Sequence, residues 1–385
     1  MAEFHAPQDV YTGRGCRKAV GDSVTKLGGS RALVVTDPHV IASAAAQDVL
    51  ELLENAGIAT IQYDGVIAEP TVEMVEAGLK VFHSFNSDIV IGLGGGSPMD
   101  AAKAIAVRAV SANSSLPKLE GANKVQTGRP PLICLSTTAG TGAEVTPFSI
   151  ITDEERDVKM LISSLELLPD VSFSDPALAD TAPLRPSIYA GVDALTHAIE
   201  AYVSRKAQPI TDDLALSAIR RISASIVRAC SEDYDEEARD DMTFASMQAG
   251  MAFANSSVAL VHGMARPIGA VFHLPHGLCN SILLQSVMAF SLGSAPQRYA
   301  SIADALGCEV GGLDSITAAN CGIDKVREIT EILAVPTLSQ TGADLDLFER
   351  SVVKMAEDAI ASGSPGNNPR IATIDEITEL YRQNY

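Results

Sequence analysis

The sequence predicts an α/β domain built on a parallel sheet over residues 1–183, followed by an all-α domain over residues 184–385. Three observations carry this: strand-like and helix-like stretches alternate through the first half, strand signals stop near Pro183, and Ala, Leu, Ile, Met and Glu at helical spacing fill the remainder. The chain is 46% apolar, too much for a disordered protein and enough for large cores. With 28 Lys+Arg against 48 Asp+Glu, the formal net charge of −20 argues against nucleic acid as a partner. MAEFHAPQDVY has no basic stretch followed by an apolar one, so no secretory signal is expected. The span that invites a membrane reading, Thr243 to Ala265, lacks charged side chains but carries Gln248, Asn255, Ser256, Ser257 and His262, and reads as one helix buried inside protein, so no membrane partner is expected. Cys16, Cys134, Cys230, Cys279, Cys308 and Cys321 form no CxxC pair; reduced, mostly buried thiols in a cytoplasmic enzyme are the expectation.

Taken in order, RALVVT at 31–36 is an apolar strand ending at Asp37, and a helical pattern follows to Asn55. IATIQYDG is the next strand, Thr71 to Phe85 the next helix, and DIVIGLGGGS the third strand. The helix after it starts at Ser-Pro-Met-Asp, with Ser97 as N-cap, Pro98 in the first position and Asp100 three residues beyond the cap. PLICLST is a further buried strand, running into the turn TTAGTGAEVT. Beyond Pro183 come helices such as SIYAGVDALTHAIEAYVS and DDLALSAIRRISASIVRAC, and the crevice between the two halves is the default place for a ligand.

Gly92, Gly94, Gly95 and Gly96 follow a strand and precede a helix, so backbone N–H groups and the helix N-terminus can meet a phosphate. A standard dinucleotide fingerprint sits after the first strand, whereas this loop follows the third. Asp37 either accepts from an adenosine ribose, which would repel a 2′-phosphate and favour NAD over NADP, or simply caps the next helix. Lys159 in DVKMLIS either reaches a polar cofactor group or extends to solvent.

The helical half holds four of the seven histidines, and three of them, His197, His262 and His276, are the candidate ligands of two compact motifs. Asp193 and His197 stand four apart, one helical turn, on one face. His262 and His276 are separated by Pro267 and Pro275, which break the chain into segments that can converge. One carboxylate and three imidazoles make a site for Fe(II), Zn(II) or a similar divalent ion with room for substrate. Each histidine alone would read as a core residue, but a mid-helix Asp193 in apolar sequence is costly to bury unless coordinated.

The ordered motifs GGGSPMDAAK (94–103), TTAGTGAEVT (137–146), DALTHAIEAY (193–202), HGMARPIGA (262–270), PHG (275–277) and PGNNPR (365–370) together resemble the iron-containing (group III) alcohol dehydrogenase family over essentially the whole chain. The resemblance implies metal ligation by Asp193, His197, His262 and His276. It also implies dinucleotide contacts from Asp37, Gly95, Gly96, Ser97, Thr137, Thr138, Thr141, Thr146 and Lys159, to which Asp100 in the same helix start is added. It implies an NAD(P)-linked alcohol dehydrogenase or aldehyde reductase in which the metal acts as Lewis acid on the substrate oxygen and the nicotinamide carries the hydride. A small alcohol or aldehyde is the expected partner, with a homodimer or larger homo-oligomer as the expected assembly. The alternatives are a dehydroquinate-synthase-like or glycerol-dehydrogenase-like enzyme, or a silent NAD-binding assembly protein.

Two departures from the family pattern concern the chemistry. Where members often carry His four residues after the third ligand, this chain has Arg266, whose fork can pair with an anionic substrate tail, with Glu200 or with the cofactor pyrophosphate. His273 then either relays a proton to solvent or braces the ligand loop, and Phe253 is either a wall of the substrate pocket or core. Glu69 stands before Pro70 where the family usually shows Asn, placing a negative charge near the cofactor.

Overall fold

The computed structural model describes residues 2–67, 69–110, 115–156 and 158–385. The chain folds as two compact units, His5–Ala182 and Pro183–Tyr385, the latter joined by the first residues of the chain.

In the first unit the strands are β1 (Asp9–Thr12), β2 (Arg31–Val35), β3 (Ala59–Tyr63), β4 (Ile89–Gly94), β5 (Gly121–Ala122), β6 (Leu132–Ser136), β7 (Phe148–Asp153), β8 (Val158–Ser163) and β9 (Val171–Ser174). The helices are α1 (Val20–Lys26), α2 (Pro38–Ile41), α3 (Ala44–Asn55), α4 (Val72–Ser84), α5 (Gly96–Val110) and α6 (Pro176–Ala179). Six strands make a parallel sheet in the order β1-β9-β6-β4-β2-β3. Alternate residues of one strand serve opposite faces: Ala32 and Val34 pack with Val20, Val49 and Leu53, while Leu33 and Val35 pack with Val75, Phe82 and Met99. Burial on both faces is why these strands read as unbroken apolar runs.

The sequence reading missed β1 and β9, which pair with each other as DVYT and VSFS. Four residues with hydroxyls and an acid carry no usable periodicity, and pairing with the rest of the sheet makes them strands. It also missed the separate sheet β5-β8-β7, in which β7 and β8 form an antiparallel hairpin.

Ser97 is not the N-cap expected of it. The helix α5 begins at Gly96, so Ser97 lies inside the first turn, and Asp100 turns instead to β7, accepting from Ile150 N at 3.0 Å. Burial pushes the Asp100 carboxyl up to about 6, outweighing Lys103 and the Ile150 amide. The native state therefore keeps a proton that the unfolded chain releases near 3.8, so this contribution to stability is present below that value and lost as pH rises toward 6. Asp100→Asn is expected to flatten the pH dependence of the urea midpoint across that window, by on the order of 1–2 kcal/mol.

The second unit is helical throughout its described residues: α7 (Leu184–Val203), α8 (Pro209–Ala229), α9 (Glu236–Ser256), α10 (Leu260–Phe272), α11 (His276–Ser291), α12 (Pro296–Ala305), α13 (Ser315–Ile332), α14 (Leu345–Ala361) and α15 (Ile374–Gln383), with short 3₁₀ turns between some of them. Thr243 to Ala265 is not one helix. It is the end of α9 and the start of α10, parted at Ser257, whose backbone is left-handed at φ 67°. Among the described residues, the helix long and apolar enough to cross a membrane on length and composition is His276–Ser294, and 56% of that window is buried within the protein. Pro267 likewise does not break the chain; it lies inside α10, and the break falls at His273, also left-handed at φ 53°, just before Pro275. Burial of Leu260 through Ala265 and of Ile268 holds α10 together across the proline. None of the six cysteines is in a disulfide, but only Cys134 and Cys279 are buried, the other four being partly exposed on helix surfaces and turns.

Candidate active site

Three helices of the second unit supply the metal-type side chains. Asp193 and His197 sit one turn apart on α7, His262 sits in the first turn of α10, and His276 is the first residue of α11. Asp193, His262 and His276 each present a ligand atom, and these atoms lie within 4.8 Å of one another. Asp193 and His262 are buried and His276 is exposed, so the group opens on the His276 side. His197 falls outside that set. Its ring is stacked between those of Phe253, centroids 4.2 Å apart, and His262, 4.5 Å apart.

Asn280, one turn beyond His276, turns its amide nitrogen into the same centre. It stands 2.6 Å from Asp193 Oδ1 and 3.1 Å from both His262 Nε2 and His276 Nε2. The amide has only two N–H donors for these three neighbours, but its position marks the point on which Asp193 Oδ1, His262 Nε2 and His276 Nε2 converge. One carboxylate oxygen and two imidazole nitrogens so arranged fit a divalent cation. Burial would raise the Asp193 carboxyl, but His197, His262 and His276 outweigh it and hold the group well below the usual carboxylate range, as an anion.

Close helix contacts set these positions. A Cβ on Gly277 would lie 2.5 Å from the Tyr189 carbonyl oxygen of α7, and one on Gly263 would lie 2.6 Å from Pro365 Cγ. The PGNN segment clasps the α9–α10 junction, with Asn367 Nδ2 donating to Ser257 Oγ and Val258 O. Arg266 lies one turn beyond His262 on α10; its Nη1 is 3.4 Å from Ser364 Oγ, and among the described residues it forms no ion pair. Of the alternatives for Arg266, direct pairing with Glu200 is not formed, because Glu200 is engaged elsewhere, accepting from Ala259 N, Val261 N and His262 Nδ1. His273, in the left-handed turn, is exposed.

In the first unit the strand order reverses between β2 and β4, which neighbour each other although β3 separates them in sequence. Dinucleotides bind outside the carboxyl ends of strands at such a switch point, and Asp37 and Gly94–Gly96 stand at those two ends. Gly95 and Gly96 face the TTAGTG turn, where a Cβ on either would meet Thr138 or Thr141 at 3.2–3.3 Å. Thr138 Oγ1 is buried with no hydrogen-bond partner, an orphaned polar group in a glycine cradle and a fit for a cofactor oxygen. Thr137 N donates to Gly94 O, tying the turn to the loop. Asp37 uses Oδ1 to cap α2, accepting from His39 N and Val40 N.

Three expected cofactor residues are engaged within the protein. Thr146 is buried under Lys103 Nζ, 3.1 Å away, and donates to Ala143 O. Asp100 faces β7 as described above. Lys159 is paired with Glu69 at 2.6 Å, the family-atypical acid having found a neighbouring cation on the β7–β8 hairpin.

The family described as iron-containing alcohol dehydrogenase matches residues 7–176, and the C-terminal part of the Fe-containing alcohol dehydrogenase family matches residues 187–385. The chain belongs to the iron-containing alcohol dehydrogenase family. Relatives include the 1,3-propanediol dehydrogenase of Citrobacter freundii, 36% identical over 385 residues, covering 100% of this chain and 98% of that one. The lactaldehyde reductase of Escherichia coli (strain K12) is 36% identical over 377 residues, 97% of each chain. A crystal structure of a 1,3-propanediol oxidoreductase matches with a TM-score of 0.97 at 35% identity, covering 100% of both chains. As an iron-containing alcohol dehydrogenase, the protein is an NAD(P)-linked oxidoreductase of alcohols and aldehydes, and the lyase alternative gives way.

For this iron-containing alcohol dehydrogenase the sequence reading missed Asn280 altogether and considered Glu200 only as one possible partner of Arg266, not as the partner of His262. Both were within reach of helical spacing: 193, 197 and 200 share one face of α7, and 276 and 280 share one face of α11. No local signal marks residues 364–368 as the clasp on α10, since that contact spans about a hundred residues of sequence.

Proposed function

We propose that this enzyme interconverts a short alcohol and its carbonyl compound with NAD, preferring substrates that end in an anion. Asp193, His262 and His276 hold a divalent cation, Fe(II) or Zn(II), with His197 as fourth ligand. The chemistry such an ion supplies is Lewis-acid polarisation of the substrate oxygen. Phe253, stacked on His197, walls the centre and keeps water from it. Gly95, Gly96, Ser97, Thr137, Thr138 and Thr141 seat the dinucleotide phosphates. The Oδ2 of Asp37, not used in capping α2, accepts from a ribose hydroxyl and repels a 2′-phosphate, which favours NAD over NADP. His273, exposed beyond α10, passes protons to solvent. Cysteines held outside any disulfide support a cytoplasmic location, and a homodimer or larger homo-oligomer belongs to the same reading.

The observation that carries the anionic preference is Arg266: one turn from His262, with no carboxylate partner among the described residues, its guanidinium is left to take one from the substrate. The uncharged substrates named for relatives, 1,3-propanediol and lactaldehyde, supply the contrast. Steady-state kcat/KM is measured with NAD and with NADP on 1,3-propanediol and on 3-hydroxypropionate, for wild type and Arg266→Ala. The variant is expected to lose about ten- to a hundredfold on the acid and little on the diol, from the loss of a charge-assisted bidentate contact. Equal losses on both overturn the anionic preference, and faster turnover with NADP overturns the cofactor assignment.

A further inference from the structure

Glu200 is buried in the second unit, 2% exposed, and its carboxylate receives three hydrogen bonds. Oε1 accepts from Val261 N at 2.5 Å; Oε2 accepts from Ala259 N at 2.8 Å and lies 2.6 Å from His262 Nδ1. A buried carboxylate is stable only when its lone pairs are met by donors, and the third donor here can only be a protonated Nδ1. A neutral imidazole protonated at Nδ1 has its lone pair on Nε2, the nitrogen that faces Asp193, His276 and the Asn280 amide. The two backbone donors belong to the segment that opens α10, so the same carboxylate fixes both where His262 starts and which way its ring is turned.

We infer that Glu200 is a positioning residue of the metal centre, binding the first turn of α10 to α7 and selecting the His262 tautomer that offers Nε2 to the cation. This rests on the reading that Asp193, His262 and His276 hold that cation. Glu200 itself does not touch substrate or cofactor. With Gln in its place one oxygen becomes an N–H₂ group facing a backbone N–H, so shape is retained while one donor loses its acceptor and the imidazole loses its anionic partner.

The test measures Co(II) affinity of the full-length protein by competition with a chelator, together with the visible spectrum of the Co(II) form. Glu200→Gln is expected to bind Co(II) about ten- to a hundredfold more weakly than wild type, the usual effect of removing a partner that orients a ligand, and to shift the ligand-field bands. Helical circular dichroism is expected to be unchanged. A folded Glu200→Gln protein with wild-type affinity and spectrum overturns the assignment. His276→Ala in the same assay separates the two claims: retained wild-type binding there overturns the metal-site reading itself, whereas lost binding there beside an unaffected Glu200→Gln overturns only the role of Glu200. Should Glu200→Gln not fold, the tautomer is read in the wild-type protein loaded with Zn(II), from the ¹⁵N resonances of the His262 ring. A proton on Nδ1 is the expected result, and an unprotonated Nδ1 overturns the inference.

Discussion

Asp193→Asn is expected to lower turnover at least about a thousandfold, because Lewis-acid assistance at such a centre supplies several kcal/mol of barrier lowering and each 1.36 kcal/mol is a factor of ten. Asp193 is the anionic member of the proposed ligand set, held ionised against its own burial by three imidazoles, and the substitution keeps its shape while removing its charge. Metal content by elemental analysis is expected to fall in parallel with activity, and the cooperative melt of the metal-free protein to persist. Chelation of the wild type is expected to mimic the variant, and refilling with Fe(II) or Zn(II) to restore activity. A variant that keeps its metal and its turnover would remove Asp193 from the site.

Gly277→Ala is expected to be the most damaging single-methyl change near the centre. The added Cβ would lie 2.5 Å from the backbone oxygen of Tyr189, an atom of α7 that no side-chain rotation can move aside. Separating α11 from α7 to admit it costs about 2–3 kcal/mol, in the range of overpacked cores. The shift also carries His276, its immediate neighbour, away from Asp193. Both a lower thermal midpoint and weaker metal binding are therefore expected, measured by calorimetry and chelator competition. Gly263→Ala, whose Cβ would clash with the ring of Pro365 at 2.6 Å and meet the Ala359 backbone oxygen at an ordinary 3.5 Å, is expected to be milder in stability because a yielding PGNN turn relieves the clash. Equal effects of the two substitutions would falsify the distinction between a backbone and a turn as the opposing surface.

Much of this molecule is legible along the chain because its signals are local. Strands β2, β4 and β6 announce themselves as apolar runs since both faces of their sheet are buried, and the glycine loop after β4 is readable from the strand before it and the helix after it. The pair Asp193 and His197 is readable because one helical turn is four residues. The errors have local causes too. Pro267 reads as a helix end, since a proline removes a hydrogen bond; tertiary burial of α10 outweighs that cost. Ser97 reads as the cap of α5, but the backbone turns into the helix one residue earlier, at Gly96. Asp100 and Thr146 fall in motifs that the resemblance gives to the cofactor, and what no local signal shows is that their polar atoms also meet β7, Lys103 and Ala143 inside the α/β unit.

By itself the sequence determined the division into an α/β half and a helical half, the glycine cradle, and which side chains could ligate a metal, because each depends on neighbours within a turn or a strand. Only the tertiary structure decided which of those side chains meet. It brought Asp193, His262 and His276 within 4.8 Å, set His197 in a stack with Phe253, gave Glu200 to His262 instead of Arg266, and left that arginine without an ion-pair partner among the described residues. Packing of helices α7, α10 and α11 joins residues some sixty to ninety positions apart, and no periodicity in one segment specifies the face that another will present to it.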